Sequence, residues 1–440
     1  MRPSLRPVLY FAIMAGLLMA VGFGQSWSVA LSILNLCLVS AIMALGVNMQ
    51  WGYAGLFNVG VMGFTALGGL AAILIAKPPV TQAWQAGGVG IALAALIIII
   101  CAVLVKLTRG AMAAGWARTL SVVLIVALGL MAFRSFLDPA VEAIESVDSA
   151  RTGYLGGLGL PILMAWPVGA LLAAGAAWLV GKVALGLRSD YLAIATLGIA
   201  EIIIAIMKNE DWLTRGVKNV TGLPRPVPYE VELAQAPWLT ELATTLNLDP
   251  NLAAGLTVKL AYTGLFLAVL AIVMTLAQRA LNSPWGRMMR AIRDNQEAAE
   301  AMGKDVTRRH LQIFIVGSAV VGLAGAMLTT LDGQFTPTTY QPLRFTFLVW
   351  VMVIVGGSGN NWGSVLGGFL IWFVWIQAEP AGLWLIDLFT GAMDADNPVR
   401  KHLLEAAPHM RMIFMGAILL IVMRFSPQGL IPERTAPRPA

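Results

Sequence analysis

Charge is scarce in this sequence. Only 12% of its 440 residues are Asp, Glu, Lys or Arg, where a soluble domain carries roughly 25%. From Pro7 to Ala76 there is no charged residue at all. That excludes an ordinary soluble fold. Cysteine is nearly absent, and Cys37 and Cys101 both lie inside apolar runs, so no disulfide framework is available. The three histidines, His310, His402 and His409, are scattered and make no metal-ligand spacing. No G-x-x-x-x-G-K-[ST] occurs. Gly181-Lys182 and Gly303-Lys304 lack the rest of it, so the chain cannot bind ATP in the P-loop manner. No nucleophile elbow is present. These gaps argue against a membrane-embedded enzyme and imply no metal and no cofactor.

What the chain does have is apolar length. It is 58% hydrophobic with a mean hydropathy of +0.78. A spanning helix needs about 20 apolar residues. Candidates are Val8–Gly24, Ser28–Met49, the glycine-rich Tyr53–Ile75, Gly87–Val105, Leu120–Phe133, Leu160–Val180, Tyr191–Met207, Leu260–Leu276, Leu311–Leu331, the short pair Phe345–Val355 and Val365–Ile376, and Met412–Met423. The expected fold is all-α, a polytopic transmembrane helical bundle with glycine-broken or re-entrant segments, forming one domain over 1–440. The first apolar run follows Arg2 and Arg6 but lacks a small-residue cleavage site, so it reads as an uncleaved helix. The net charge of +6 sits largely in short loops. There it sets topology rather than recruiting nucleic acid.

One polar island, Ser283 to Lys304, interrupts two long apolar runs. Ser283 suits an N-cap and Pro284 the first helical position. Trp285, Met288, Met289 and Ile292 recur on one helix face, with Arg287, Arg290 and Arg293 mostly off it. Asp294 with Glu297 reads as a capping box opening a second helix, and Glu297 places negative charge in its first turn. Ala298, Ala299 and Ala301 are small enough for another surface to approach. Gly303 fits the left-handed residue that ends a helix. Two readings follow: a basic amphipathic loop on the membrane surface, or a pair of docking helices.

If this loop, 278–310, is cytoplasmic, Arg279, Arg287, Arg290, Arg293, Lys304, Arg308 and Arg309 lie inside. Counting spans then places Lys182 with Arg188, Lys106 with Arg109, Arg2 with Arg6, and Arg424 with Arg434 inside as well. Loops 134–161, with Asp138, Glu142, Glu145 and Asp148, and 209–257 fall outside. The positive-inside rule is satisfied throughout, provided 345–376 makes an even number of crossings. Both termini are then cytoplasmic. The long loop 209–257 is either a docking surface for an outer partner or a solvated connector.

Two glycine-rich breaks stand out. Gly52, Gly55, Asn58 and Gly60 belong to the first; Gly356, Gly357 and Gly359 belong to the second. Irregular backbone inside a bilayer survives where protein or a water-filled cavity satisfies it, and paired interruptions in transporters often mark the path. Close helix packing explains small residues equally well. Ser318, Gly322 and Ala326 form a small-residue stripe that reads as packing. Glu201 is the ionisable residue found well inside a span, and an intramembrane carboxylate is a functional candidate, with a structural hydrogen bond as the alternative.

Glu297-Ala298-Ala299, three residues and Gly303, placed in a basic loop between spans, resemble the EAA loop of ABC importer permeases. Gly52–Gly69, Leu187–Glu201, Thr221–Pro226, Ile354–Gly368 and Ser426–Leu430 resemble the LivM-type permeases of branched-chain amino acid importers, in family order over most of the chain. The resemblance implies a bacterial inner-membrane subunit that pairs with a sister permease. Two ABC ATPase subunits would dock at Glu297, Ala298, Ala299, Gly303 and Arg290, and a periplasmic binding protein would deliver substrate. It implies a path near the glycine breaks, Asn58 and Glu201, and contact with membrane lipid. The region 88–161 departs from the family as an extra apolar insertion, and Gly363-Ser364 replaces its usual glycine-proline. Urea and short-amide importers use similar permeases. An ion-coupled carrier is the rival from another class, though one intramembrane acid leaves it little to work with.

Overall fold

The computed structural model describes residues 5–148, 152–187, 189–391, 393–394 and 397–433. Arg2, Arg188 and Arg434, which enter the charge count above, lie outside them. The chain is an all-helical, multi-pass membrane protein. Ten helices among the described residues are long and apolar enough to cross a membrane.

Helix α1 (Arg6–Gly24) turns at Gln25-Ser26 into α2 (Trp27–Asn48), where Ser26 Oγ accepts from the Val29 amide at 3.1 Å. Helix α2 widens into a π-helical turn, Met49–Tyr53, and then loses regular form before α3 (Val61–Ala76). Two 31-residue helices follow, α4 (Thr81–Ala111) and α5 (Trp116–Ser146), then α6 (Ala165–Ala184) and α7 (Ser189–Asn209). Short helices α8 (Asp211–Thr214), α9 (Glu230–Ala234) and α10 (Pro237–Thr245) fold the loop that follows. Helix α11 (Pro250–Asn282) leads into α12 (Pro284–Asp294) and α13 (Gln296–Ala301), and α14 (Val306–Asp332) leaves them. Helices α15 (Pro342–Gly356), α16 (Asn361–Thr390), α17 (Pro398–Glu405) and α18 (Met410–Phe425) complete the bundle. Strand β1 (Val220–Thr221) pairs antiparallel with β2 (Gln334–Phe335).

Several boundaries move from their expected places. Helix α11 begins at Pro250, not Leu260, because the Asp249 carboxylate accepts from the Asn251 and Leu252 amides and Pro250 takes the first position. Lys259 had masked that extension in a purely apolar reading; its ammonium donates to the Ser28 carbonyl at 3.0 Å. Helix α16 runs to Thr390, past Ile376, carrying Glu379 and Pro380 inside it. Glu201 is therefore not the one acid inside a span: Glu379 is another, paired with Arg411. Asp138, Glu142 and Glu145, expected in an outer loop, ride on the last turns of α5.

Within the region 88–161, expected as an extra apolar insertion, the chain forms most of a hairpin of α4 against α5, which covers 81–146. At about 1.5 Å per residue each helix exceeds the roughly 30 Å hydrocarbon core. It meets the body through a small cluster of Ala83, Ile144 and Leu155, with the Trp84 indole donating to the Leu155 carbonyl at 3.0 Å. Residues 156–160 do not belong to it. They fold along the end of α3, where the Leu158 and Leu160 amides donate to Leu74 and Ile75.

The centre of the bundle packs α2, α3, α6, α14, α15 and α16. Between membrane helices there is little hydrophobic drive, and small residues let backbones approach. A Cβ on Gly68 would strike the Gly322 carbonyl, and one on Gly322 would strike Ala173. A Cβ on Gly325 would strike the Thr65 carbonyl. Ser318 and Ala326 are fully buried beside them, so the small-residue stripe is a packing surface.

The two ends of the bundle differ. One gathers Arg6, the end of α11, Arg290, Gly359 to Trp362 and Leu430 to Glu433 around a cleft of about 900 Å³. At the other, Lys77 Nζ donates to the Thr221 and Gly222 carbonyls at 2.6 and 2.9 Å, and Pro79 bridges Gly156. Gly68→Val should destabilise the detergent-purified chain by about 1–3 kcal/mol through overpacking. Gly175→Val, with open space at its Cβ, should leave the thermal midpoint unchanged. Paired melting curves check both.

Candidate functional site

The site is built upward from α12. Ser283 Oγ caps this helix by accepting from the Gly286 amide at 3.3 Å. Met289 and Ile292 are buried, and Trp285 and Met288 half-buried, so the expected apolar face does face the body. The second helix is capped by Asn295, not Asp294: Asn295 Oδ1 accepts from the Ala298 amide at 3.0 Å. The Asp294 carboxylate turns instead to Arg293, its Oδ1 accepting at 3.1 Å. Ala299 packs with Ile292 and Val306, pinning α13 from beneath. Gly303 has φ +75°, and the Lys304 amide donates to the Ala299 carbonyl. What remains exposed is a knuckle of Glu297, Ala298 and Met302, with Met302 78% accessible.

Arg293 ties this knuckle to the membrane interior. Its guanidinium donates to the Gly52 carbonyl and to the Glu433 carboxylate, the latter at 2.9 Å. Arg290 adds a longer ion pair to Glu433 at 3.8 Å. Glu433 lies on a strap of chain that follows α18. The Leu430 and Ile431 amides donate to the Val355 and Gly356 carbonyls at 2.9 Å, and Asn360 Nδ2 donates to the Pro432 carbonyl at 3.0 Å. One side chain thus touches the first glycine break and the strap that braces the second.

The two breaks meet. A Cβ on Gly52 would overlap Asn48 and the Gly359 amide. Asn48 Oδ1 accepts from that amide at 2.8 Å, and Asn48 Nδ2 donates to Asn361 Oδ1 at 3.2 Å. The Tyr53 hydroxyl donates to the same Asn361 oxygen, and Asn361 Nδ2 donates to Gln278 on α11 at 3.1 Å. Gln50 Nε2 donates to the Phe314 carbonyl and to Ser318 Oγ, both at 3.0 Å. Gln50 Oε1 accepts from Asn58 Nδ2 at 2.9 Å. Asn58 Oδ1 then accepts from the Gly60 amide, and the Asn58 carbonyl accepts from the Trp350 indole, each at 2.9 Å. Asn48, Gln50, Asn58 and Asn361 each both donate and accept, as buried polar groups should.

Beyond this joint, toward the β1–β2 end, lies a recess of about 290 Å³ between α2, α3, α14, α15 and α16. Met43, Met62 and Met352 line it on the three helices that border the joint. Asp332, Gln334, Thr336, Thr339 and Tyr340 form its polar side. The Tyr340 hydroxyl lies 3.0 Å from Thr329 Oγ1. Burial pushes the Tyr340 phenol well above its usual range, so it stays neutral.

The expected path residues fall in different places. Gly52, Asn58, Gly356 and Gly357 are packed into the joint, and Gly60 packs against the Thr196 carbonyl. Gly55, at φ +70°, lies against the Arg293 stem, and Gly359 borders the cleft at the α12 end. None of them lines the recess. Glu201 sits on the exposed side of α7. That helix reaches the first break through Thr196 instead, whose Oγ1 accepts from the Val59 amide at 3.1 Å. Arg293, Glu433, Asn48, Gln50, Tyr53, Asn361 and Thr196 escaped the sequence reading as site residues. Amides and a tyrosine clustered within an apolar run were the available signal.

Residues 112–423 match the family described as the permease component of branched-chain amino acid transport systems. LivM of Escherichia coli K12, a high-affinity branched-chain amino acid transport system permease protein, is 26% identical over 66% of this chain. LivM of Methanocaldococcus jannaschii is 29% identical over 40% of this chain and 46% of its own length. The xylose transport permease XylH of Escherichia coli K12 is 25% identical over 62% of each chain. The chain spans 61% of the length of the first of these relatives. No solved structure matches it.

Removing a charge-assisted hydrogen bond of about 1.5–3 kcal/mol should open a local structure roughly tenfold or more. Arg293→Ala should therefore speed amide exchange both in 284–302 and in 52–60. Arg287→Ala, whose guanidinium reaches only its neighbour carbonyl on Asn282, should not. Hydrogen–deuterium exchange by mass spectrometry reads the difference.

Proposed function

The chain belongs to the family of branched-chain amino acid transport permeases, and from that premise we propose that it is the membrane subunit of an ATP-driven importer for hydrophobic amino acids. It is not itself an enzyme. Two ABC ATPase subunits hydrolyse ATP and seat the knuckle of Glu297, Ala298, Ala299 and Gly303. A sister permease completes the membrane part, and a periplasmic binding protein delivers substrate on the β1–β2 side. The protein sits in a bacterial inner membrane, with the knuckle and both termini cytoplasmic. The whole chain works as one permease domain, and the α4–α5 hairpin is an accessory to it.

The observation that carries this reading is Arg293. It stands on the docking helix and holds the carbonyl of Gly52 inside the first break. Movement of α12 by a closing ATPase would pull on the joint of both breaks at once. The joint borders the recess, so the same movement would reshape it. A pentose cargo is the second reading, favoured by the likeness to the xylose permease.

Glu297→Lys combined with Gly303→Pro removes the first-turn acid and the left-handed helix end. In vesicles carrying the whole transporter this double variant should insert normally, hydrolyse ATP, and accumulate less than about a tenth of the wild-type leucine. Wild-type accumulation by the variant would reject the knuckle as the coupling element.

A further inference from the structure

The recess bordering the joint carries a charge that the chain does not balance. Asp332 ends α14 at its rim, and among the described residues no hydrogen bond or ion pair reaches its carboxylate. No lysine or arginine lines the recess. Glu379 and Glu433, by contrast, are paired, Glu379 with Arg411 and Glu433 with Arg293 and Arg290. Asp332 is exposed, so its carboxylate is solvated at the mouth of an apolar recess and open to a cation that enters there. Two donors in the same wall also lack partners. Thr336 Oγ1 and the Trp372 indole nitrogen are shielded from solvent without a hydrogen bond among the described residues. Buried donors are normally satisfied. The rest of the wall, Leu348, Val349 and Met352 among it, is aliphatic or thioether.

Unpaired acid, unpaired donors and an apolar wall together describe the complement of a small zwitterion with an aliphatic body. The volume of about 290 Å³ is near the lower end of ligand pockets, which run from about 300 Å³. That is room for one small ligand. We propose that this recess is the substrate station of the permease. Asp332 receives the ammonium group, Thr336 and Trp372 are the donors available to the carboxylate, and Val349 and Met352 pack the side chain. The proposal rests on the importer reading and makes it narrower. A neutral sugar or amide has no ammonium for Asp332, so this one residue separates amino acids from the other cargoes of similar permeases.

The test uses the whole transporter with its own partners. Asp332→Asn should lower leucine uptake about tenfold or more, the scale of a lost charge-assisted contact, and Asp332→Glu should restore part of it. Val349→Trp, which fills the recess, should reduce uptake similarly. Thr339→Cys at the rim, in a Cys101→Ser background, reports occupancy: leucine should slow its modification by a neutral thiosulfonate. Neither xylose nor 4-methylpentanoate, the same skeleton without the ammonium, should do so. Adding Asp332→Asn should abolish the protection while leaving the unprotected rate unchanged, which separates loss of binding from loss of fold. Protection that persists without Asp332, or that follows membrane phosphatidylethanolamine rather than leucine, overturns the station. So does uptake within about twofold of wild type in Asp332→Asn while the Glu297→Lys, Gly303→Pro variant is inactive, and in that case the importer reading stands. Xylose uptake with no amino acid uptake by the wild type overturns both.

Discussion

A lipid interior offers no hydrogen bonds to broken backbone, and this chain breaks its helical path twice between apolar runs. That constraint organises the structure. Both breaks are satisfied by carboxamides, and a carboxamide is suited to the task because one side chain donates and accepts at once. Asn48 serves the second break while standing just before the first. Asn361 returns the contact from the far side. Gln50 and Asn58 close the first break on itself and on α14. A network satisfied this fully holds one arrangement, and a partly satisfied one would be worse than none. The breaks are therefore a joint with a defined shape, able to pass displacement from one helix to its neighbours.

Arg293 gives that joint a handle. Its planar guanidinium reaches a backbone carbonyl in one direction and a carboxylate in another, which a lysine point charge could not do with fixed geometry. The strap that carries Glu433 matters for the same reason. It hydrogen-bonds the backbone of α15 as an extra strand of chain would, so the knuckle, both breaks and the end of α15 are connected through named bonds. Along one axis of the bundle stand an exposed apolar tip, a charged handle, an amide joint, a group of methionines and an apolar recess with an acid at its rim. Methionine adapts its shape with little cost, so Met43, Met62 and Met352 can fill an irregular wall.

The body around this axis combines close backbone contact at glycines with a core of large apolar side chains such as Phe266, Phe314 and Phe335. The glycine contacts suit its solvent, since lipid leaves little gain in burying leucine against leucine. The α4–α5 hairpin obeys the same rule on a smaller scale. It is well packed against itself, where Gly87 meets the Ala140 carbonyl, and joined to the bundle by few residues. The family match begins at residue 112, inside the connection between these two helices.

Much of this was legible in the residues alone. Apolar length marked the spans, the polar island marked α12 and α13, and Gly303 marked the helix end. All of these depend on neighbours within a few positions. The misplaced boundaries had local causes too: Lys259 and Glu379 interrupt apolar runs without interrupting helices. What only the tertiary structure decided is contact between distant segments. Asn48 and the Gly359 amide are 311 positions apart, and Arg293 and the Gly52 carbonyl are 241 apart. No periodicity in either segment carries that information. The unpaired state of Asp332 is of the same kind, because whether a charge has a partner is a property of everything packed around it. Composition and spacing determined that the chain crosses a membrane and carries a polar loop of two short helices. The packing of helices remote in sequence decided which residues join that loop to the interior, because hydrogen bonds reach a few ångströms in space and take no account of distance along the chain.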